Sequence, residues 1–337
     1  MYFQMRSLAC ASACLVALTA CGSRAAISSR AVSAGFVFTA AGDYGTSPEA
    51  AATLDLVRRS SARFHLALGD LAYNNEPEAN WCQWVARRVG GTFPFLLLPG
   101  NHEDDFGEHG HITRFAECLP DRLRVTGTYP VEYFFDYGER ARVILISPDM
   151  TVNGEHYFYG DGNSHYTWLV DAIDDARAAG LPWVVVGMHK SCVSVGQYYC
   201  RIYSRLMDLL LEKRVDLILH GHDHSYQRTK QLALGPGCPS LPIDGYDPAC
   251  VADDREGEYM QGRGTVSVIV ATAGQDMYEL NPQDPEAGYF VRWMGAERAR
   301  HGLLRIEITP SMLSAAFVPS TGTSDFADRF VIRRSPQ

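Results

Sequence analysis

Phe36-Val37-Phe38-Thr39-Ala40-Ala41-Gly42-Asp43-Tyr44-Gly45-Thr46-Ser47-Pro48-Glu49 reads as one strand, one turn and the start of one helix. Phe36 to Ala40 is a short apolar run of the kind that fills a buried strand. Gly42-Asp43 ends it. Ser47 offers an N-cap, Pro48 a proline at the first helical position and Glu49 an acid in the first turn. The unit recurs downstream. Phe64 to Leu68 ends at Gly69-Asp70, and Phe93 to Leu98 ends at Pro99-Gly100-Asn101-His102, with a helical pattern over Asn80 to Val89 between them. Trp183 to Val186 ends at Gly187-Met188-His189, and Val215 to Leu219 at Gly221-His222-Asp223-His224.

Between these units, Tyr133 to Asp136 and Val143 to Ser147 read as a strand pair. Ser164 is expected to cap a helix whose apolar face is Trp168, Leu169, Ala172, Ile173 and Ala176, stopped by Gly180. Tyr203 to Lys213 is a second amphipathic helix. Beyond residue 224 only strands are expected: Val266 to Ala271, Leu303 to Ile308, Ser314 to Val318 and Phe330 to Ile332. Residues 234–262, rich in Gly, Pro and Asp, read as a long loop. Alternating strands and helices followed by an all-strand end predict an α/β fold: two stacked sheets with helices outside. No repeat and no linker interrupts residues 35–337, which read as one domain.

Composition sets limits. Hydrophobic residues make up 46% and charged residues 20% of the 337, which is globular and excludes a disordered or collagen-like chain. The net charge of −9 excludes a nucleic-acid scaffold, which needs a basic stripe. An anionic substrate then needs a local attraction, and a bound metal supplies one.

The N-terminal segment reads as an address. After Arg6, the apolar run Leu8 to Ala20 is too short to span a bilayer. It ends in Leu18-Thr19-Ala20-Cys21-Gly22, which resembles a bacterial lipoprotein signal with Cys21 as the lipidated residue. Residues 1–20 are therefore expected to be a signal peptide, with residues 1–4 a scar or an upstream start, and residues 21–34 a tether. The protein is expected in the periplasm or cell envelope, held to the membrane through this lipid alone. Of nine cysteines, Cys10, Cys14 and Cys21 fall in the signal region. The rest form sequence-adjacent pairs: Cys82 with Cys118, Cys192 with Cys200, and Cys238 with Cys250. Short loops close at lower entropic cost, so local disulfides are expected, as suits an exported protein. No C-x-x-C pair supports a cysteine metal site.

Up to residue 224, each strand end outside the Tyr133–Ser147 pair carries a metal-capable residue: Asp43, then Asp70 with Tyr73, Asn101 with His102, His189, and His222 with His224. Singly, each reads as a turn aspartate or a packed histidine. Jointly, always just after an apolar strand, they predict one cluster, because ligands bind beyond the carboxyl ends of strands in α/β sheets. Gly42-Asp43-Tyr44-Gly45, Gly69-Asp70-Leu71-Ala72-Tyr73, Gly100-Asn101-His102-Glu103, Val186-Gly187-Met188-His189 and Gly221-His222-Asp223-His224 resemble the five blocks of the purple acid phosphatases: GDxG, GDxxY, GNH[DE], VxxH and GHxH. They span residues 42–224 in the family's order. Gly45 and Tyr73 favour the purple subgroup over other calcineurin-like metallophosphoesterases. The form resembled is a bacterial lipoprotein one, without room before Gly35 for the extra β-domain of plant-type members.

The resemblance implies a four-layer sandwich, two stacked mixed sheets flanked by helices. It implies one metal held by Asp43, Asp70, Tyr73 and His224, and another by Asp70, Asn101, His189 and His222. A phenol, ordinarily with a pKa of about 10, ionises at acidic pH only beside a strong Lewis acid, so Tyr73 argues for Fe(III). The amide and imidazoles suit a divalent Zn, Mn or Fe. The implied activity is hydrolysis of phosphate monoesters by a metal-bound hydroxide. Phosphodiester or nucleotide hydrolysis on the same site, or a non-catalytic binding lipoprotein, are the alternatives. His102 is assigned substrate contact and protonation of the leaving group, with Asn101 also facing substrate, and orientation of a neighbouring ligand as the other role for His102. Plant-type members place histidines after the VxxH block. Here Lys190 to Tyr203 has none; Lys190, Gln197, Tyr198 and Tyr199 stand there, with Lys190 either a phosphate contact or a solvated surface residue. His109, His111, His156 and His165 lie in loops or at a helix start with access to the cleft, whereas His65, His220 and His301 read as structural.

Overall fold

The computed structural model describes residue 1, residues 35–322 and residues 325–335. The signal, the Cys21 lipidation site and the 21–34 tether lie outside the described residues. Two large mixed sheets stack face to face. Across the first, the strands run Glu258–Met260, Arg329–Arg333, Met312–Pro319, Gly302–Ile308, Phe36–Ala41, His65–Ala67, Phe95–Leu97. Across the second they run Phe290–Met294, Tyr226–Thr229, Val266–Val270, Leu217–His220, Trp183–Gly187, Ala141–Leu145, Glu132–Tyr137, Thr126–Thr128.

The period-2 alternation of each strand sorts its side chains between two cores. Phe36, Phe38 and Ala40 point inward, with Leu66, Leu96, Ile306 and Phe317, against Phe135, Val143, Trp183, Val185 and Val268 of the other sheet. The outward faces meet helices. Leu54, Val57, Trp81 and Val85 cover Ala41, Ala67 and Leu97, while Leu169, Ile173, Leu206 and Leu210 cover Ile144, Val184, Val186 and Ile218. Helix, sheet, sheet, helix is the expected four-layer order. Each fully buried Phe, Leu or Ile contributes roughly 1.5–3 kcal/mol relative to exposure.

Local signals hold where they are strong. In the helix Pro48–Arg59, Ser47 Oγ accepts from the Ala50 N–H at 3.1 Å. The helix Ser164–Ala178 starts one residue earlier in its capping than expected: Asn163, not Ser164, is the cap, its side chain accepting from the His165 N–H at 2.8 Å. Lys213 closes rather than extends the helix Ser204–Glu212. Three features depart from the sequence reading. Ile112–Cys118 is a short helix with no side-chain cap, so it leaves no start signal. Tyr226–Thr229 and Phe290–Met294 pair with each other, and the former also pairs with Val266–Val270. Within the expected 234–262 loop, Glu258–Met260 adds an edge strand parallel to Arg329–Arg333. Cys82–Cys118, Cys192–Cys200 and Cys238–Cys250 are disulfides.

Candidate metal centre

Phe36–Ala41, His65–Ala67 and Phe95–Leu97 are mutually parallel in the first sheet. Trp183–Gly187 and Leu217–His220 are parallel in the second. Their carboxyl ends therefore emerge at one edge of the sandwich, and the donors converge there. Ligand atoms of Asp70, His189 and His222 lie within 4.8 Å of one another, as do those of Asp43, Asp70 and His224. Asp70 belongs to both groups. Tyr73 Oη donates within reach of Asp70 Oδ2 at 2.9 Å and Asp43 Oδ1 at 3.1 Å, and lies 2.9 Å from His224 Nε2. Asn101 Oδ1 lies 3.2 Å from His189 Nε2.

The turns that deliver these groups are strained. Asp43, Asp70, Tyr73 and His222 all take left-handed backbone, with φ of 66°, 51°, 55° and 70°. This region costs an ordinary L-residue roughly 1–2 kcal/mol, and such strain clusters at functional sites. Close backbone approach is also required. A Cβ on Gly100 would lie 1.9 Å from Asp70 Oδ1, and one on Gly221 would lie 2.6 Å from the Leu68 carbonyl and 2.9 Å from Asp43 Oδ2. Backbone donors aim the carboxylates: His102 N–H to Asp70 Oδ1 at 3.1 Å, and His222 N–H to Asp43 Oδ2 at 3.0 Å. Glu103, fully buried, receives the N–H groups of Leu71 at 2.6 Å and Gly100 at 3.0 Å, and so ties two of the turns together. Burial, then the Asp70 charge, pushes the Glu103 carboxyl up to about 8.

Charge is uneven across the cluster. Burial opposes ionisation of Asp70, but His189 and its neighbours outweigh it and hold the carboxyl well below its usual range. Burial lowers His189 too, but the charge and hydrogen bond of Asp70 carry it up to about 9. His222 is pushed down to about 2 by burial and by His189. Burial and the carboxylates of Asp43 and Asp70 push the Tyr73 phenol far above its usual value.

His102 is partly exposed, its Nε2 3.6 Å from Asp70 Oδ2. Its Nδ1 is engaged by His109 Nδ1 at 2.5 Å, and the two rings stack. His109 is thus the loop histidine that reaches the cleft. It gets there because the 103–109 loop folds back, with the His109 N–H bonded to the His102 carbonyl at 3.0 Å. The other three turn elsewhere: His111 to Asp105, His156 to Asp149, and His165 to Glu132 and Glu155. His65, His220 and His301 are held by Thr39, Ser267 and the Gln275 carbonyl respectively. Lys190 is not the solvated surface residue that was one of its expected readings. It is buried, and its ammonium donates to the Asp149 carbonyl at 2.7 Å and carboxylate at 2.6 Å.

Five donor-bearing blocks at one sheet edge mark a family. The family model for calcineurin-like phosphoesterases matches residues 37–226, more than half the chain. The chain belongs to this family. Within it, the chain is similar to the purple acid phosphatases. It is 27% identical over 219 residues to purple acid phosphatase 21 of Arabidopsis thaliana, covering 61% of this chain and 48% of the relative. It is 25% identical over 245 residues to the probable inactive purple acid phosphatase 24 of the same plant, covering 66% and 36%. The purple acid phosphatase PPD1 of yellow lupin (Lupinus luteus) seeds superposes with a TM-score of 0.69 at 18% identity, covering 90% of this chain and 54% of that one. The chain spans about half the length of the curated relatives it matches.

Proposed function

We propose that this phosphoesterase is an exported, dinuclear-metal acid phosphatase that hydrolyses phosphate monoesters. The observation that carries the reading is the convergence of Asp43, Asp70, Tyr73, Asn101, His189, His222 and His224 around the shared carboxylate of Asp70. The donor set fits two cations. Two buried carboxylates stand beside three imidazoles, and neither ring nitrogen of His222 has a hydrogen-bond partner among the described residues, its Nε2 being buried. Asp43, Asp70, Tyr73 and His224 would hold Fe(III), because a phenol pressed between carboxylates ionises only beside a strong Lewis acid. Asp70, Asn101, His189 and His222 would hold Zn, Mn or Fe in the divalent state.

Two bound ions supply a nucleophile at low pH and polarise the phosphoryl oxygens. The chain's own groups do the rest. Asp70 joins the two positions. The Leu68 carbonyl accepts from His189 Nδ1 at 2.7 Å, and the Asp276 carbonyl from His224 Nδ1 at 2.9 Å, which turns each Nε2 toward the carboxylates. His109 occupies His102 Nδ1, leaving Nε2 on the Asp70 side to hold the proton that a leaving alkoxide needs. Export is supported by the three disulfides. Among the described residues no helix is long and apolar enough to cross a membrane. Attachment through lipidated Cys21 completes the proposed localisation.

The test is metal analysis with turnover of an aryl phosphate and its diester across acidic to neutral pH. Two metals per chain, faster monoester turnover and a visible charge-transfer band that Tyr73→Phe removes are expected. Faster diester turnover would move the reading to a phosphodiesterase. A colourless active enzyme holding only zinc would remove the ferric assignment. Metal binding without turnover of either ester would make it a binding protein.

A further inference from the structure

Three histidines of the cluster are not held alike. His189 and His224 each give Nδ1 to a backbone carbonyl. His222 makes no ring hydrogen bond among the described residues. What lies on it is an aromatic ring: Tyr198 stacks on the His222 imidazole with centroids 4.0 Å apart and planes at 22°. Tyr278 stacks likewise on His224, at 4.3 Å and 11°, and the two tyrosine hydroxyls stand 3.5 Å apart.

Tyr198 is delivered by a loop with unusual anchorage. The Cys192–Cys200 disulfide closes it. Within it, the Ser194 N–H reaches Glu286 at 2.8 Å, the Val195 N–H reaches Gln227 at 2.9 Å, and the Gln197 N–H reaches Asp223 at 3.2 Å. Ser194 Oγ also donates to Asp223. A Cβ on Gly196 would lie 2.0 Å from Asp223 Oδ2, so the loop backbone rests directly on that carboxylate. Asp223 is the residue between His222 and His224. It is fully buried and is spent on the loop. The segment that carries the histidine thus also fixes the ring that covers it.

We propose that Tyr198 is the positioning residue for His222: the disulfide-closed loop lays its ring on the one imidazole that no backbone carbonyl orients, and so sets the affinity of the metal position His222 serves. Ring stacking supplies the rotational restraint that an Nδ1–carbonyl bond supplies elsewhere. The phenol hydroxyl is not required for it. This inference rests on the dinuclear-centre reading above.

The test uses the purified chain, freed of metal and titrated with Zn(II) against a chromogenic chelator. Loss of a group that orients a ligand typically weakens metal affinity about 10–100-fold. Tyr198→Ala and Tyr198→Leu should each show that loss at one of two sites, with turnover restored by excess Zn(II). Tyr198→Phe should bind like the parent protein. Cys192→Ser with Cys200→Ser should reproduce the Tyr198→Ala loss. Tyr198→Leu keeps apolar contact without a planar ring, so retained affinity there would show that stacking is not what holds His222. Unchanged affinity in Tyr198→Leu, or a loss in Tyr198→Phe equal to that in Tyr198→Ala, overturns the proposal while leaving the centre intact. A parent protein that binds no Zn(II) overturns the centre and the proposal together.

Discussion

Phe36–Ala41, His65–Ala67 and Phe95–Leu97 lie parallel and lead into Asp43, Asp70 and Asn101; beside them in the same sheet, Gly302–Ile308, Met312–Pro319 and Arg329–Arg333 run antiparallel and lead into no donor. The second sheet divides less cleanly, since Ala141–Leu145 and Val266–Val270 flank the donor strands in parallel and lead into none of the seven donors. Trp183–Gly187 and Leu217–His220 lead into histidines, while the antiparallel Tyr226–Thr229, paired with Phe290–Met294, carries Arg228 of a buried ion pair. Parallel order sends every carboxyl end to one edge, so five short turns meet at one point. Antiparallel order alternates the ends and spreads them over both edges. All five donor-bearing strands are parallel to a neighbour, and the antiparallel strands pack behind them.

The comparison is broken most directly at Asp70. Asp70→Ala should remove both metals and reduce turnover to background, measured by elemental analysis and rate together; full metal content in this variant would show that the edge does not share a carboxylate. Next is His102→Ala, which should keep both metals and lose turnover by roughly 10²–10⁴-fold, the scale of general acid catalysis. The loss should be greater for alkyl than for activated aryl phosphates, and equal losses would reduce His102 to positioning.

The antiparallel half is sharpened at Arg228. Its guanidinium meets Asp328 at 2.6 and 2.8 Å, fully buried, with Tyr226 and Tyr259 hydroxyls completing the network. Asp328→Ala leaves that charge uncompensated and should cost about 3–5 kcal/mol in denaturant unfolding. Turnover of the folded fraction should stay at the parent value; a lost metal would instead couple the two halves. The smallest effect is expected at Ser47, whose hydroxyl caps the first helix and donates to the Gly274 carbonyl at 3.0 Å. Ser47→Ala should cost about 1 kcal/mol, read as a shifted unfolding midpoint with metal content unchanged.

Legibility followed the same division. Asp43, Asp70, Tyr73, Asn101, His189, His222 and His224 were readable because each follows a strand that stands out as an apolar run closed by glycine. Glu103 follows His102 in the Gly100-Asn101-His102-Glu103 turn, yet its task of joining the turns after two strands is a contact between residues 32 apart. His109 carried no signal beyond its place in a loop, since its meeting with His102 depends on how that loop folds back. The edge strand Glu258–Met260 was hidden because three residues leave no periodicity to count.

By itself, the sequence determined the strand–turn–helix units, the order of the donor residues and the pairing of six cysteines. These depend on local pattern and short chain separation. Only the tertiary structure decided which donors share Asp70, that Lys190 is spent on Asp149, and that Tyr198 covers His222. Those facts depend on two sheets stacking at one register and on turns held in left-handed backbone. Burial stabilises that geometry as a whole, and no single segment of the chain contains it.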